Sequence, residues 1–258
     1  MKEKNFVVKL SSQHSNKYND VLLIAFPFSG ATAQSFVGWR QYIPDSVDFS
    51  AVQYPGRGHL IHEKLLCDLE QLLSTLYQPL LAAIREYKYV IWYGHSLGGL
   101  VAYELIKKYS VNRVNLPTMK LVIGACPSPE LIGKKPHLHT LSDDKFWEKI
   151  KQYGGTPESI IDDKEFKSLF LPILKADFTM YESYKFCDKR SILNLPLVVI
   201  GGNNDHVVRY DELTGWKNLT NNLYQQFHVE GDHFFLNYNS VALINKIIGS
   251  NEQYSFMP

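Results

Sequence analysis

Apolar runs and helically spaced apolar positions alternate along most of the chain. Several runs are rich in β-branched and aromatic residues and contain no polar residue, which is typical of strands covered on both faces. Such runs predict strands at residues 21–26, 89–93, 121–126 and 195–200, and two more polar runs predict strands at residues 47–54 and 224–229. A shorter run at residues 6–10 could form an edge strand.

Between the strands, apolar residues recur at helical spacing. Helices are predicted near residues 33–42, 65–87, 100–106 and 236–248, and Pro79 should kink or divide the second of them. Alternating strands and helices predict an α/β fold, in which a mainly parallel central sheet is flanked by helices on both faces.

One long segment interrupts the alternation. Residues 127–194 contain no convincing strand, and helices are predicted near residues 143–153, 163–169 and 173–184. An excursion of this length between two strands is most simply an inserted helical lid. We therefore expect a core formed by residues 1–126 and 195–258, with a lid over residues 127–194.

The first candidate for chemistry is Ser96, which lies between the strand at residues 89–93 and the helix that begins near residue 100. The surrounding Gly94-His95-Ser96-Leu97-Gly98 has the form G-x-S-x-G. Between a strand and a helix, this pattern predicts a nucleophile elbow, a strained turn that exposes the serine hydroxyl above the sheet. The Leu97 N–H, at the start of the helix, is then a predicted oxyanion donor.

A serine hydroxyl needs a base, and that base needs an orienting acid. Two loops that follow strands supply them: Asp205 comes after the strand at residues 195–200, and His233 after the strand at residues 224–229. Since parallel strands bring their carboxyl ends to one edge, these side chains can meet Ser96 there. The order serine, aspartate, histidine is that of α/β-hydrolases.

Alternatives exist for both partners. His206, adjacent to Asp205, could replace His233 as the base, and Asp232 could replace Asp205 as the acid, although an aspartate next to the base in sequence rarely reaches its ring. The other histidines considered are assigned to packing, to local hydrogen bonds, to strand positions or to the lid: His95, His137, His139 and His228.

A second oxyanion donor is expected from the loop after the strand at residues 21–26. The turn that begins at Pro27 offers the backbone N–H of Ser29, with that of Phe28 as the weaker alternative.

Composition narrows the function classes. Of 258 residues, 45% are hydrophobic and 21% charged, and the net charge of +1 gives no electrostatic reason to expect nucleic acid or a membrane surface. The three cysteines form no C-x-x-C pair, which argues against a disulfide framework and a zinc site. No signal-peptide pattern or membrane-length apolar stretch is visible, so a cytoplasmic protein is expected.

Taken together, these residues resemble a type II thioesterase, the stand-alone hydrolase that accompanies non-ribosomal peptide and polyketide synthases. The similarity extends over nearly the whole chain. The segments that carry it are residues 26–30 with Trp39, residues 52–57, residues 94–99, the loops of Asp205 and His233, and the lid segments 154–158 and 171–178.

The resemblance implies hydrolysis of acyl or peptidyl thioesters on the phosphopantetheine arm of carrier proteins, with Ser96, Asp205 and His233 as the catalytic residues and no metal or cofactor. The alternatives are a chain-releasing thioesterase of fatty-acid type, a small-ester carboxylesterase and an inactive binding protein. The partners would be carrier proteins, and the chain is expected to be a monomer.

The lid is the expected docking surface for the carrier, but its charge gives no support for this. Residues 127–192 hold eleven Lys or Arg and eleven Asp or Glu, a net charge of zero. An apolar contact through Phe146, Trp147 or Phe170 is an alternative, although these aromatic residues could equally form the interior of the lid.

Overall fold

Seven strands form one sheet in the computed structural model, which describes residues 4–11, 19–156, 158–187, 192–238 and 240–249. The strands are β1 Val7–Lys9, β2 Val21–Phe26, β3 Val47–Val52, β4 Tyr89–His95, β5 Thr118–Gly124, β6 Leu197–Gly202 and β7 Tyr224–Val229. Their order across the sheet is β1-β3-β2-β4-β5-β6-β7. The edge strand β1 pairs antiparallel with β3, and every other pairing is parallel. The predicted α/β fold is therefore confirmed.

Helices cover both faces of this sheet. The α-helices are α1 Leu69–Ile84, α2 Leu97–Val111, α3 Asp143–Tyr153, α4 Glu158–Ile161, α5 Lys164–Glu182 and α6 Ser240–Ile248. Two longer 3-10 helices span Ala33–Tyr42 and Tyr210–Leu219. The first of these and the helix α3 have the bounds that the apolar spacing predicts.

The strands have two buried faces because their side chains alternate between two apolar clusters. In β2, for example, Leu22 and Ile24 pack toward α1 and α2, whereas Leu23 packs toward the 3-10 helix Ala33–Tyr42 and α6. This two-sided burial explains why strands such as β2 are unbroken apolar runs in the sequence.

Two helices contain an internal proline, and one of them differs from the sequence prediction. The helix α1 runs through Pro79 without division, and α5 is one helix through Pro172 where two were predicted. A proline removes one helical hydrogen bond. Buried side chains lie on both sides of Pro79 in α1, so packing against the core outweighs that loss.

Other boundaries shift by a few residues. The helix α1 begins at Leu69 rather than residue 65, because the Asp68 side chain accepts from the N–H of Gln71 and caps the helix there. The helix α6 begins at Ser240 rather than residue 236, since Phe235–Asn237 forms a separate 3-10 turn. The short helix α4 was not predicted.

The residues between β5 and β6, called the insert below, contain α3, α4 and α5. They have an apolar cluster of their own, with Phe146, Trp147 and Ile150 from α3 and Ile161 from α4 buried in it. Phe146 and Trp147 are thus interior residues of the insert, as the second of the two interpretations has it, and they are too buried to form a docking surface. In the part of the chain that the structure describes, no helix is both long and apolar enough to cross a membrane.

Candidate active site

Ser96 occupies a sharp turn between β4 and α2. Its backbone has φ 51° and ψ −118°, a conformation that non-glycine residues rarely adopt. Glycines on either side let helix and strands approach closely, because a Cβ on Gly94 would lie 2.2 Å from the carbonyl oxygen of Gly98, and one on Gly98 would lie 2.1 Å from that of Phe26. The predicted strand–turn–helix elbow is therefore present, and Leu97 is the first residue of its helix.

Asp205 and His233 meet at the carboxyl ends of β6 and β7. His233 Nδ1 lies 2.9 Å from Asp205 Oδ2, and both side chains are almost completely buried. The other carboxylate oxygen of Asp205 accepts the N–H groups of Val207 and Val208 at 2.8 and 2.9 Å. These contacts fix the carboxylate and leave Nε2 as the ring nitrogen of His233 that can act on a hydroxyl.

The surroundings keep the Asp205 carboxyl ionised. Burial opposes ionisation, but the hydrogen bond from His233, the charge of that ring when it is protonated, and the two backbone N–H groups outweigh it, so the pKa of Asp205 lies below its usual value. An ionised carboxylate at Nδ1 can stabilise an imidazolium formed during a reaction.

His95 holds the backbone of the loop that carries His233. Its Nε2 lies 2.7 Å from the carbonyl oxygen of His233, and its Nδ1 lies 2.9 Å from the hydroxyl of Tyr93. Burial, reinforced by the neighbouring His233, lowers the pKa of His95 to about 3. The neutral ring therefore donates from Nε2 and accepts the Tyr93 hydroxyl at Nδ1. The local hydrogen bond predicted for His95 is present.

Ser96 and His233 line the same cavity, which has a volume of about 290 Å³ and lies between the sheet edge and the insert. Among the described residues, no hydrogen bond joins the Ser96 hydroxyl to His233. Such contacts are often long before substrate binds and tighten in the complex. Most of the lining is apolar, and the insert contributes much of it, including Trp147, Ile150, Phe170 and Phe178.

The loop after β2 forms a tight turn beside this cavity. The N–H of Ala31 donates to the carbonyl of Phe28 at 3.0 Å, and Gly30 has φ 80°, as the third residue of a type II turn requires. Ser29 lines the cavity. Within the described chain the N–H groups of Ser29 and Leu97 donate to no other group, so both are available to an anion.

An ion pair that the sequence analysis missed lies under this loop. Arg57 donates two hydrogen bonds to Asp177, at 2.5 and 2.6 Å, and both side chains are buried. The sequence signal was a charged residue on an apolar helix face, since Asp177 stands between the buried Ile173 and Met180 of α5. Its partner could not be found that way, because Arg57 is 120 positions away.

The alternative residues have other contacts. His206 Nε2 lies 3.0 Å from the carbonyl oxygen of Gln152, and Asp232 accepts the N–H of Phe234. His228 stacks on Tyr210. Two further histidines belong to the insert and have partners within it: His137 contacts the carbonyl oxygen of Gly133, and His139 contacts the carboxylate of Glu182. None of these alternative residues lines the cavity of Ser96, whereas His233 lines it and is held by Asp205, so the geometry favours Asp205 and His233.

Comparison with known proteins agrees with this geometry. A family model described as "Thioesterase domain" matches residues 22–250. The probable anguibactin biosynthesis thioesterase AngT of Vibrio anguillarum is 30% identical over 234 residues, which cover 89% of this chain and 91% of AngT. The chain therefore belongs to the thioesterase family, and it is a thioester hydrolase.

Solved structures also place the chain among thioesterases, and they confirm the resemblance to type II thioesterases that the sequence indicated. ClbQ from the colibactin NRPS/PKS pathway is 30% identical, with a TM-score of 0.83 over 91% of this chain and 99% of ClbQ. The type II thioesterase BorB from the borrelidin biosynthetic cluster is 25% identical, with a TM-score of 0.83 over 96% of this chain and 98% of BorB.

Proposed function

We propose that this thioesterase removes acyl or peptidyl groups from the phosphopantetheine arms of carrier proteins in a non-ribosomal peptide or polyketide assembly line. In this role it would clear carriers that are wrongly primed or stalled. The similarity to ClbQ, which is described as part of an NRPS/PKS pathway, supports the proposal, as does the similarity to AngT and BorB, described as thioesterases of anguibactin and borrelidin biosynthesis.

The observation that carries the mechanism is the 2.9 Å contact between His233 Nδ1 and Asp205, beside the cavity into which the Ser96 elbow opens. In our mechanism the Ser96 hydroxyl attacks the thioester carbonyl while His233 Nε2 accepts its proton. Asp205 holds the ring in the required tautomer and stabilises the positive charge that forms on it.

The negative charge that develops on the carbonyl oxygen would be stabilised by the N–H groups of Leu97 and Ser29. A preorganised donor of this kind contributes about 3–4 kcal/mol to lowering the barrier. When the tetrahedral intermediate collapses, the protonated His233 gives its proton to the departing thiol, and Ser96 is left acylated.

Water completes the cycle. His233 accepts a proton from a water molecule, which attacks the acyl-enzyme, and the carboxylic acid leaves as the Ser96 hydroxyl is restored. Every step uses side chains and backbone groups of the chain, so we propose that no metal or cofactor takes part.

The insert contributes to substrate access in this proposal. A phosphopantetheine arm is long and thin, so residues 127–194 would act as a lid that leaves a channel to Ser96 and presents the surface on which a carrier docks. We propose that the enzyme works as a monomer.

The test compares wild-type and Ser96→Ala protein on three substrates: an acetyl-carrier, a medium-chain acyl-carrier and a free p-nitrophenyl ester. We expect turnover of the carriers that depends on Ser96, together with an acyl-enzyme visible by mass spectrometry. Ser96→Ala should fold as the wild type does, as judged by circular dichroism.

Each alternative function has its own outcome in this assay. Fast turnover of free esters with none on carriers would identify an esterase instead. A strong preference for the medium-chain acyl-carrier over the acetyl-carrier would indicate chain release. Carrier binding with no serine-dependent turnover would indicate a binding protein.

A further inference from the structure

We propose that the buried pair Asp177–Arg57 is a positioning device, through which helix α5 of the insert holds the loop that carries the Ser29 N–H. This inference rests on the proposed function, because it assigns that N–H to the oxyanion. It adds two residues that do not touch substrate but set the geometry of one that does.

The contact that carries the inference is made by Asp177 Oδ2. This oxygen accepts the backbone N–H of Gly30 at 2.8 Å and also the Arg57 hydrogen bond. Because Gly30 directly follows Ser29, the bond fixes the turn at the peptide next to the proposed oxyanion donor. It also occupies the Gly30 N–H, so that group is unavailable to substrate.

The geometry of the ion pair holds the Asp177 carboxylate in one position. Both terminal nitrogens of Arg57 donate to the Asp177 carboxylate. This bidentate geometry restricts the orientation of the carboxylate as well as its distance from Arg57. Burial alone would lower the pKa of Arg57, but the charge and hydrogen bonds of Asp177 raise it, so the guanidinium stays charged. Its Nε has no hydrogen-bond partner in the described structure, and the same is true of the buried hydroxyl of Tyr54.

The loop is also held at its other end. Gln53, buried after β3, accepts the N–H of Ala33 at 3.1 Å and donates to the carbonyl oxygens of Tyr54 and Arg57. One segment, residues 53–57, therefore anchors Ala33 directly and Gly30 through Asp177. Gln53 and Asp177 are thus the two side chains that hold the loop, and only Asp177 belongs to the insert.

Helix α5 also touches the loop through an apolar side chain. A Cβ on Gly30 would lie 2.8 Å from Leu174 Cδ2, one helical turn before Asp177. Any movement of α5 would therefore disturb the turn of Ser29. An insert that opens would weaken oxyanion stabilisation, and one that closes would restore it.

The first test replaces the pair by apolar residues of similar size, Asp177→Leu with Arg57→Met. Such replacements of buried ion pairs often preserve stability. We expect a folded protein whose kcat on an acyl-carrier falls at least tenfold, with KM changed less than threefold, because the lost contact supports the transition state more than the bound substrate.

A second readout separates positioning from a general structural role. An alkyl boronic acid forms a tetrahedral adduct with a catalytic serine and places a boronate oxygen where the oxyanion would lie. Its inhibition constant should rise in the double variant by about the same factor as kcat falls. Lys167→Met is the matched control, since Lys167 joins α5 to Asp144 of α3 at the surface and should leave both values unchanged.

If the double variant does not fold, Asp177→Asn decides the question, because its amide cannot accept from both terminal nitrogens of Arg57 and so no longer fixes the acceptor of the Gly30 N–H. A tenfold loss of kcat with little change in KM would support the inference. A folded variant of either kind with wild-type kcat and boronate affinity would overturn it. That result leaves the proposed function intact as long as wild-type turnover still depends on Ser96.

Discussion

At the scale of single residues, the site combines strain with hydrogen bonding. Ser96 has a positive φ, and His233 is held by contacts at its ring and at its backbone. The sequence identified Ser96 because the elbow is a local pattern. It suggested Asp205 and His233 through the sheet topology, since these residues are 28 positions apart and meet only when β6 and β7 pair.

Asp205→Asn tests the proposed acid. The amide cannot hold the same tautomer of His233 or stabilise its charge, so kcat should fall by about 10⁴-fold while the fold is kept. Steady-state kinetics on an acyl-carrier and circular dichroism measure the two effects. Near-normal turnover would transfer the role to another acid, with Asp232 as the first candidate.

His95 should make the fold sensitive to acid. Its pKa is about 3 in the folded state and near 6.5 when unfolded, so below pH 6.5 the unfolded chain binds a proton that the folded chain excludes. The free energy of unfolding should therefore fall by about 1.4 kcal/mol per pH unit between these values from this residue alone.

Urea unfolding of wild-type and His95→Gln protein between pH 7 and pH 4 measures that contribution. Glutamine can still donate to the carbonyl of His233 but does not titrate, so the variant should lose less stability as the pH falls. Parallel curves for the two proteins would contradict the assignment.

At the scale of elements, the insert has an interior separate from the sheet. Trp147 is buried in that interior and donates to the carbonyl oxygen of Ile161 at 3.1 Å. Removing this side chain should cost about 3–5 kcal/mol of packing. The cost should fall on the insert rather than on the two clusters that cover the sheet.

Hydrogen exchange of Trp147→Ala protein tests this separation. Amide protection should decrease in α3 and α5 and stay unchanged in β4 and β5. Leu169→Ala is the control, because Leu169 lies on α5 but is 57% exposed. Equal loss of protection throughout the sheet would show that the insert and the core unfold as one unit.

Element boundaries show where local rules stop being sufficient. Apolar spacing located α3 and the 3-10 helix Ala33–Tyr42, whereas it wrongly divided α5 at Pro172 and left open whether Pro79 kinks or divides α1. The penalty for Pro79 or Pro172 is local, but the packing that offsets it depends on residues far away in the chain. The partnership of Asp177 with Arg57 was out of reach for the same reason.

At the scale of the whole molecule, the three cysteines are free thiols: Cys67 and Cys187 are exposed, and Cys126 is buried. Burial raises the pKa of Cys126 to about 12, which further reduces its reactivity. Dithionitrobenzoate should therefore label two thiols quickly in the native protein and the third only after unfolding. Rapid labelling of all three would show that the region around Cys126 opens readily.

The contact between Asp177 and Gly30 also limits how this enzyme can be engineered. A graft that exchanges the insert for that of a relative would carry its own residue at position 177 into a core that still contains Arg57. If that residue were not an acid, the Arg57 guanidinium would be left buried without a counter-ion, and the turn at Gly30 would lose its hydrogen bond. Hybrid enzymes of altered acyl preference should therefore transfer residues 53–57 together with the donor helix.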